Sequence, residues 1–250
     1  MGIISPYFPK EICLKLASIA DANIFIETGT HYGGTTKWAA DHFHKVHTIE
    51  LSEYLYNHTK DELISKGNIL PYLGDSRFIL PQILKAENTN IVFWLDGHYS
   101  GGITDGAEDP CPLLDELNAI SPRDNDDVVI IDDARLCGKA GGFPPIAEIH
   151  KLVIKSKNKK HILVCDDQIY ILPRKEEYHK VISDYVKNGE SLIFNLYNIY
   201  KRYLPKPKSQ SKIIRKIRSK IRLRIKNLLQ KTGTFNTVKK FCKLLNQKSV

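Results

Sequence analysis

The feature that most constrains this chain is a regular alternation of short apolar runs with longer amphipathic segments of helical length. Short apolar runs rich in β-branched residues predict buried strands, and the segments between them predict helices. A strand that is followed by a helix and then by another strand forms a parallel pair, because the helix returns the chain to the same edge of the sheet. Seven strands are predicted, at residues 24–27, 46–50, 69–73, 91–96, 128–132, 161–165 and 168–172.

The last two predicted strands are joined by Asp166 and Asp167 alone. Two residues are too few for a helical crossover, so these strands should form an antiparallel hairpin at one end of the sheet. The predicted fold class is therefore α/β, with a doubly wound, mostly parallel sheet, an antiparallel C-terminal hairpin and a basic helical tail.

The net charge of +9 is distributed unevenly along the chain. Residues 205–250 contain 15 Lys and Arg and no Asp or Glu, so residues 1–204 carry a net charge of −6. A negatively charged body is not expected to bind nucleic acid, because phosphate contacts require Lys and Arg. We predict one domain over residues 1–204 and a basic linker with a helical tail over residues 205–250.

The tail contains an amphipathic pattern at residues 212–230. Its apolar residues recur at spacings of three and four, which places them on one helical face: Ile214, Ile217, Ile221, Ile225 and Leu228. Three interpretations are open, namely a solvated helix that packs on its own domain, peripheral contact with a membrane surface, or, more weakly, polyanion binding. The sequence has no apolar run long enough for a spanning helix and no signal-peptide pattern, so the expected location is the cytoplasm, including the inner face of the membrane.

A glycine-rich segment, ETGTHYGGTT, follows the first predicted strand. Its glycines allow close approach of the backbone to a ligand, and the helix that follows favours a polar group there. The segment lacks the lysine of a phosphate-binding loop, and His31 stands where a dinucleotide-binding loop requires its second glycine, which disfavours a pyrophosphate ligand. Glu50, 21 residues after Gly29, lies where a carboxylate accepts hydrogen bonds from ribose hydroxyls.

The stretch from residue 27 to residue 133 resembles the class I S-adenosylmethionine-dependent methyltransferases, which have a Rossmann-like fold. The acid-glycine loop, Glu50 and the turn after the third strand occur in the order of that family's cofactor positions. The resemblance implies the following cofactor contacts: Glu27, Gly29 and Gly33 at the methionine end, Glu50 at the ribose, and Asp75 with Ser76 at the adenine. The loop is also similar to that of the sugar O-methyltransferases related to macrocin O-methyltransferase, which likewise carry a residue other than glycine at the position of His31.

Three further acids follow neighbouring predicted strands, with Asp96 after the fourth and Asp132 and Asp133 after the fifth. Carboxylates crowded at one place repel one another unless a cation is present, and oxygen ligands suit Mg²⁺ or Mn²⁺. This pattern resembles the metal-dependent O-methyltransferases, in which the cation holds substrate oxygens and acidifies the attacking hydroxyl. Alternatively, the acids cap turns or lie exposed at the strand ends.

His98 lies two residues after Asp96 and is the predicted catalytic base, since imidazole titrates near neutral pH. The relatives of the macrocin family also carry the base at this position. Metal ligation through nitrogen and an exposed loop histidine are the alternatives. Arg135 could orient an anionic acceptor or neutralise the acidic pair before it, and residues 99–102 could form a lid or a plain loop.

Two other acidic pairs receive structural interpretations. Asp115 and Glu116 fall in a predicted first helical turn, where acids are favoured by the helix dipole. Asp166 and Asp167 fall in the hairpin turn, where aspartate is common for backbone reasons.

The predicted function is S-adenosylmethionine-dependent, divalent-metal-assisted O-methylation of a sugar, nucleotide-sugar or glycan hydroxyl, in surface polysaccharide biosynthesis. Two alternatives have different chemistry. A nicotinamide-dependent oxidoreductase would share the sheet and Glu50, and a noncatalytic membrane- or partner-binding protein would use the domain only to hold cofactor. The acceptor, the native metal and whether the chain forms a homo-oligomer are open.

Overall fold

The alternation of apolar and amphipathic segments produces seven strands and seven helices in the residues that the computed structural model describes, which are 8–97, 111–139, 142–156 and 159–187. The strands are β1 Ile24–Thr28, β2 Lys45–Glu50, β3 Ile69–Leu73, β4 Ile91–Leu95, β5 Val128–Ile131, β6 Lys160–Cys165 and β7 Gln168–Pro173. The helices are α1 Lys10–Ala20, α2 Gly34–Ala40, α3 Glu53–Ile64, α4 Ser76–Ala86, α5 Leu113–Ile120, α6 Ile146–Lys155 and α7 Glu176–Lys187. A short 3₁₀ helix, Ala134–Leu136, follows β5.

The seven strands form one sheet in the order β3-β2-β1-β4-β5-β7-β6. Neighbouring strands from β3 to β5 are parallel, whereas β7 is antiparallel to both β5 and β6. The chain order reverses between β1 and β4, and in doubly wound sheets a ligand crevice forms at such a switch point. The prediction of a Rossmann-like, mostly parallel sheet with an antiparallel hairpin is confirmed.

The core has two layers because alternate side chains of the central strands point to opposite faces of the sheet. All residues of β1, β4 and β5 are buried. Phe25 and Trp94 belong to the cluster that packs with α1 and α7, whereas Ile26 and Phe93 belong to the cluster that packs with α4, α5 and α6. Strands covered on both faces read as unbroken apolar runs, which explains why these strands were visible in the sequence.

The outermost strand β3 contains Pro71, which pairs in register with Thr48 of β2. A proline cannot donate a backbone hydrogen bond and is therefore tolerated mainly at a sheet edge. The edge position of β3 is consistent with this rule.

Two predictions concern residues outside the described part of the chain. The boundary between residues 204 and 205 and the amphipathic helix at residues 212–230 both lie beyond residue 187 and stay predictions. Within the described residues, no helix has the length and apolar character needed to cross a membrane.

Candidate functional site

The sheet brings the predicted strand-end acids to its carboxyl edge, as expected for parallel strands. Glu27 and Glu50 lie within the last two residues of their strands, and the other acids follow theirs by one or two residues: Asp75 after β3, Asp96 after β4 and Asp132 after β5. Because β1 lies between β2 and β4, its carboxyl end is the centre of this acidic edge.

Glu27 is a buried carboxyl that organises the glycine-rich loop. Its Oε2 accepts hydrogen bonds from Thr36 Oγ1 of α2 at 2.5 Å and from Thr48 Oγ1 of β2 at 2.8 Å. Burial raises the pKa of Glu27 to about 8, against the lowering effect of the two threonines, and the charges of Asp96 and Glu50 raise it further. Glu27 therefore fixes the loop between two elements and is mainly protonated at neutral pH.

The glycines of the loop are required by backbone conformation and by close packing. Gly29 has φ +87°, and a Cβ built on it would lie 2.4 Å from the carbonyl oxygen of Asp96. Gly33 has φ +69°, and its Cβ would lie 2.9 Å from the Leu63 side chain. Residues other than glycine rarely adopt such φ values, and at Gly29 the obstruction is rigid backbone. The loop therefore lies directly against the segment that follows β4.

Glu50 is held by two backbone groups. Its Oε2 accepts from His31 N–H at 2.7 Å, and its Oε1 accepts from Ser52 N–H at 2.9 Å. The carboxylate thus connects the glycine-rich loop to the start of α3. Burial lowers the pKa of His31, with a partial opposing effect from Asp96, so this loop histidine adds little positive charge at neutral pH.

Asp75 and Ser76 form the turn that begins α4. Asp75 caps the helix by accepting from Arg77 N–H at 2.9 Å, and it pairs with the Arg77 guanidinium at 2.6 Å. Burial alone would raise the pKa of Asp75, but Arg77 outweighs it and the pKa is lowered. The Ser76 hydroxyl donates to Glu116 Oε1 at 2.6 Å. The turn predicted to face the adenine is therefore rigid and carries an ionised acid.

Asp96 and Asp132 are neighbours, as the sequence predicts. Their backbone N–H groups extend the sheet ladder, to Thr28 O at 3.1 Å and to Leu95 O at 3.2 Å respectively. Gln168 of β7 donates from Nε2 to Asp132 Oδ1 at 3.0 Å. Burial raises the pKa of Asp132 to about 7, and the charges of Asp96 and Asp133 act in the same direction.

Asp133 does not join these two acids in a cation site. It has φ +59° and pairs with the guanidinium of Arg135, which also pairs with Asp167 of the hairpin turn. In the described part of the chain, no group of three or more His, Cys, Asp or Glu is arranged to hold a metal ion. The prediction that Asp96, Asp132 and Asp133 together bind Mg²⁺ or Mn²⁺ is therefore not supported, because an arginine already neutralises Asp133. Arg135 thus pairs with Asp133, one of the two acids that it was predicted to neutralise, and with Asp167.

The predicted base, His98, lies outside the described residues, as do residues 99–102 of the predicted lid. The structure places Gly97, the residue before His98, beside Thr28 and Glu116. The assignment of His98 stays a prediction.

A small cavity opens between the ends of β4 and β5 and the start of α5. It is lined mainly by apolar side chains, and the carboxyl groups of Glu116 and Asp132 are its acidic members. Gly97 also lines it, so the cavity adjoins the position from which the chain continues to His98.

Three contacts of the site were missed in the sequence. Glu116, interpreted as a dipole effect, is 2% exposed and contacts Ser76. Gln168 reaches Asp132, and Asp167 pairs with Arg135 in addition to forming the turn. A signal for Glu116 was present, because it follows Leu113 by three residues and precedes Ile120 by four, which puts it on the buried stripe of α5. Gln168 and Asp167 gave no local signal, since their partners are more than 30 residues away.

No protein-family model matches this sequence, and no curated protein matches it. Solved structures give weak similarities. The O-methyltransferase TomG from Streptomyces achromogenes, involved in tomaymycin synthesis and solved with S-adenosylmethionine, is 17% identical over 67% of this chain and 80% of that chain, with a TM-score of 0.47. An O-methyltransferase from Bacillus cereus in complex with S-adenosylhomocysteine is 17% identical over 66% of this chain and 81% of that chain, with a TM-score of 0.45.

The 23S rRNA methyltransferase ErmE is 13% identical over 66% of this chain and 68% of that chain, with a TM-score of 0.41. With identities of 17% or less and TM-scores of 0.47 or less, these structures assign no role to the residues of the present chain.

The contact between Gly29 and the Asp96 backbone predicts the effect of adding a methyl group. Gly29→Ala should destabilise the domain by at least about 2 kcal/mol more than Gly67→Ala, because overpacking against rigid backbone adds to the cost of a positive φ. Gly67 is the matched control, since it has φ +82° and nothing within 4 Å of its Cβ position. Urea unfolding of both variants measures the difference, and equal losses would contradict the close approach.

The raised pKa of Glu27 predicts a pH-dependent stability. Its folded-state pKa of about 8 exceeds the ordinary value of 4.5, so ionisation opposes folding increasingly as pH rises through this interval. Glu27→Gln mimics the protonated acid and should gain roughly 1–3 kcal/mol relative to wild type between pH 5 and pH 8.5. Chemical unfolding across this range tests the prediction, with exposed Glu53→Gln as the control for the amide. A gain that is independent of pH would refute it.

Proposed function

We propose that this chain is an S-adenosylmethionine-dependent O-methyltransferase. The observation that carries the proposal is the acidic edge around the glycine-rich loop, where buried Glu27 and Glu50 lie at the ends of β1 and β2 and the Asp96 backbone lies against Gly29. The charges of Glu50 and Asp96 help to keep Glu27 protonated at neutral pH, and a positive charge would offset their effect, so the site favours a ligand that brings positive charge and hydroxyl donors. S-adenosylmethionine has both, in its sulfonium, its ammonium group and its ribose.

The same charges argue against the nicotinamide alternative. In dinucleotide-binding folds the pyrophosphate lies on the glycine turn at a helix N-terminus. Here Glu27 precedes that turn, the backbone of Asp96 lies against it, and burial holds the loop residue His31 toward its neutral form. A pyrophosphate would add negative charge to an acidic site.

The residues present fit the proposed cofactor. Glu50 is fixed by two backbone N–H groups at the strand-end position where a carboxylate would accept hydrogen bonds from the ribose hydroxyls. By the family resemblance, Glu27 and the backbone at Gly29 would hold the methionine end, and Asp75 with Ser76 would hold the adenine end. When bound, the cofactor supplies an electrophilic methyl group on a positively charged sulfur.

The remaining steps are assigned to groups of the chain. His98 is the residue that would receive the proton of the acceptor hydroxyl as that hydroxyl takes up the methyl group. Asp96, which directly follows β4, would supply negative charge at the same edge of the sheet. Because Asp133 is paired with Arg135, we assign no step to a divalent cation. The rate then depends mainly on positioning and on the fixed charges of the site.

The acceptor that we propose is a sugar, nucleotide-sugar or glycan hydroxyl, in surface polysaccharide biosynthesis. The support for it is the resemblance of the loop ETGTHYGGTT to that of the sugar O-methyltransferases related to macrocin O-methyltransferase. This assignment concerns the acceptor only, and the cofactor proposal does not depend on it.

Cofactor binding tests the first part of the proposal. Calorimetric titration of the full chain should show S-adenosylhomocysteine binding and no NADH binding, because only the first lacks a pyrophosphate. Glu50→Gln should weaken S-adenosylhomocysteine by about 10-fold, as expected for loss of charge-assisted hydrogen bonds. Glu53→Gln, an exposed change three residues away, is the control. Binding of NADH in preference to S-adenosylhomocysteine would overturn the proposal.

Methyl transfer tests the second part. Purified protein with labelled S-adenosylmethionine should methylate a member of a panel of nucleotide sugars and oligosaccharides, and EDTA should leave the rate unchanged. Transfer to a catechol or an amine but to no carbohydrate would reject the acceptor class. Inhibition by EDTA that added Mg²⁺ reverses would show that a cation takes part after all.

We also propose that residues 212–230 contact an anionic membrane surface. The support is the charge of the tail and its single apolar stripe. In the full chain, replacing Ile217 and Ile221 by Asn should reduce binding to phosphatidylserine-containing vesicles by about 10-fold, because two buried apolar side chains are lost. Leu245→Asn, an apolar residue beyond the stripe, is the control. Unchanged sedimentation with vesicles would favour a tail that is solvated or packs on its own domain.

A further inference from the structure

Glu116 is a buried acid whose place in the site is not explained by the helix dipole. It lies in the first turn of α5 and is 2% exposed, whereas its neighbour Asp115 is exposed. A dipole effect needs no burial, and transferring a carboxyl group out of water is costly unless it gains specific partners. The burial of Glu116 therefore indicates that its role lies in the specific contacts of its carboxyl group.

The contacts of Glu116 join segments that are distant in sequence. Its Oε1 accepts from the Ser76 hydroxyl of α4 at 2.6 Å. A Cβ built on Gly97 would lie 3.4 Å from this oxygen and 3.1 Å from Thr28 Oγ1, so the carboxyl lies close to the ends of β4 and β1. One side chain thus meets the adenine-end turn and the two strands at the switch point of the sheet.

The surroundings of the Glu116 carboxyl also favour its neutral, protonated form or a proton shared with a neighbouring hydroxyl. Burial raises the pKa of Glu116 to about 7, Ser76 and Thr28 lower it, and the charges of Asp75 and Asp115 raise it. Thr28 Oγ1 is near enough to affect this pKa, although it makes no hydrogen bond of good geometry within the described residues. An amide at this position could therefore accept from Ser76 and donate toward Thr28.

We propose that Glu116 is a positioning residue of the cofactor site, which holds the Ser76 hydroxyl and thereby fixes the turn between β3 and α4 at the adenosine end. The inference rests on the proposed function. Ser76 and Asp75 open α4, so a displaced Ser76 shifts the first turn of that helix together with its cap. Glu116 touches no reacting atom and acts through Ser76.

A double-mutant cycle in the full chain tests the proposal. We expect Glu116→Leu to weaken binding of S-adenosylhomocysteine and of free adenosine by the same factor, about 10-fold, which is the order of effect of losing one buried hydrogen bond. Ser76→Ala should lower affinity, and adding Glu116→Leu to it should cause no further loss, because the two groups act as one unit. Glu116→Gln should restore affinity to within about threefold of wild type, since its carbonyl still accepts from Ser76. Asp115→Asn, the same loss of charge one residue earlier, is the control and should leave both affinities unchanged.

The outcomes separate this inference from the proposed function. If wild-type protein fails to bind S-adenosylhomocysteine, the proposed cofactor is wrong. If wild type binds and the losses of Glu116→Leu and Ser76→Ala are additive, or Glu116→Gln binds as poorly as Glu116→Leu, then Glu116 does not act through Ser76. Thermal melts of each variant identify a change that merely unfolds the domain, and the Gln variant then decides the case.

Discussion

The arrangement of this site depends on the burial of the Glu27 carboxyl at the end of the central strand β1. Removing an ionised carboxylate from water costs several kcal/mol, and only good hydrogen bonds offset this. Thr36 and Thr48 provide them, from α2 and from β2. The groups that compensate for burial are therefore the groups that fix the glycine-rich loop, so its geometry and the charge of the site are set by one interaction.

The sequence predicted the sheet well because the signals it uses are local. Strands buried on both faces appear as apolar runs, and all seven were placed within one or two residues of their observed ends. A two-residue connection between strands leaves no alternative to a hairpin, which fixes β6 and β7 as antiparallel. Parallel pairing then requires the strand-end acids to share an edge, and Asp96 and Asp132 do lie together.

The partners of those acids could not be predicted, because they depend on distant chain segments. Asp133 was expected beside a cation, but a positive φ and a guanidinium that also holds Asp167 of the hairpin direct it to Arg135. The antiparallel return of β7 also places Gln168 against Asp132. Glu116 is a different case. Its position on the apolar stripe of α5 predicts burial, but its acidic side chain was explained by the helix dipole alone.

If the chain has the proposed function, the negative charge of the site favours binding of the methyl donor over binding of the product. Burial and, to a smaller extent, the charges of Glu50 and Asp96 oppose ionisation of Glu27, and a cationic ligand that binds only the folded state would offset part of that cost. S-adenosylmethionine carries a sulfonium charge that S-adenosylhomocysteine lacks, so the attraction of the acidic edge is greater before methyl transfer than after it. Loss of one positive charge weakens the electrostatic attraction between the acidic edge and the product. An acidic site is therefore suited to capture the donor and to release what remains of it.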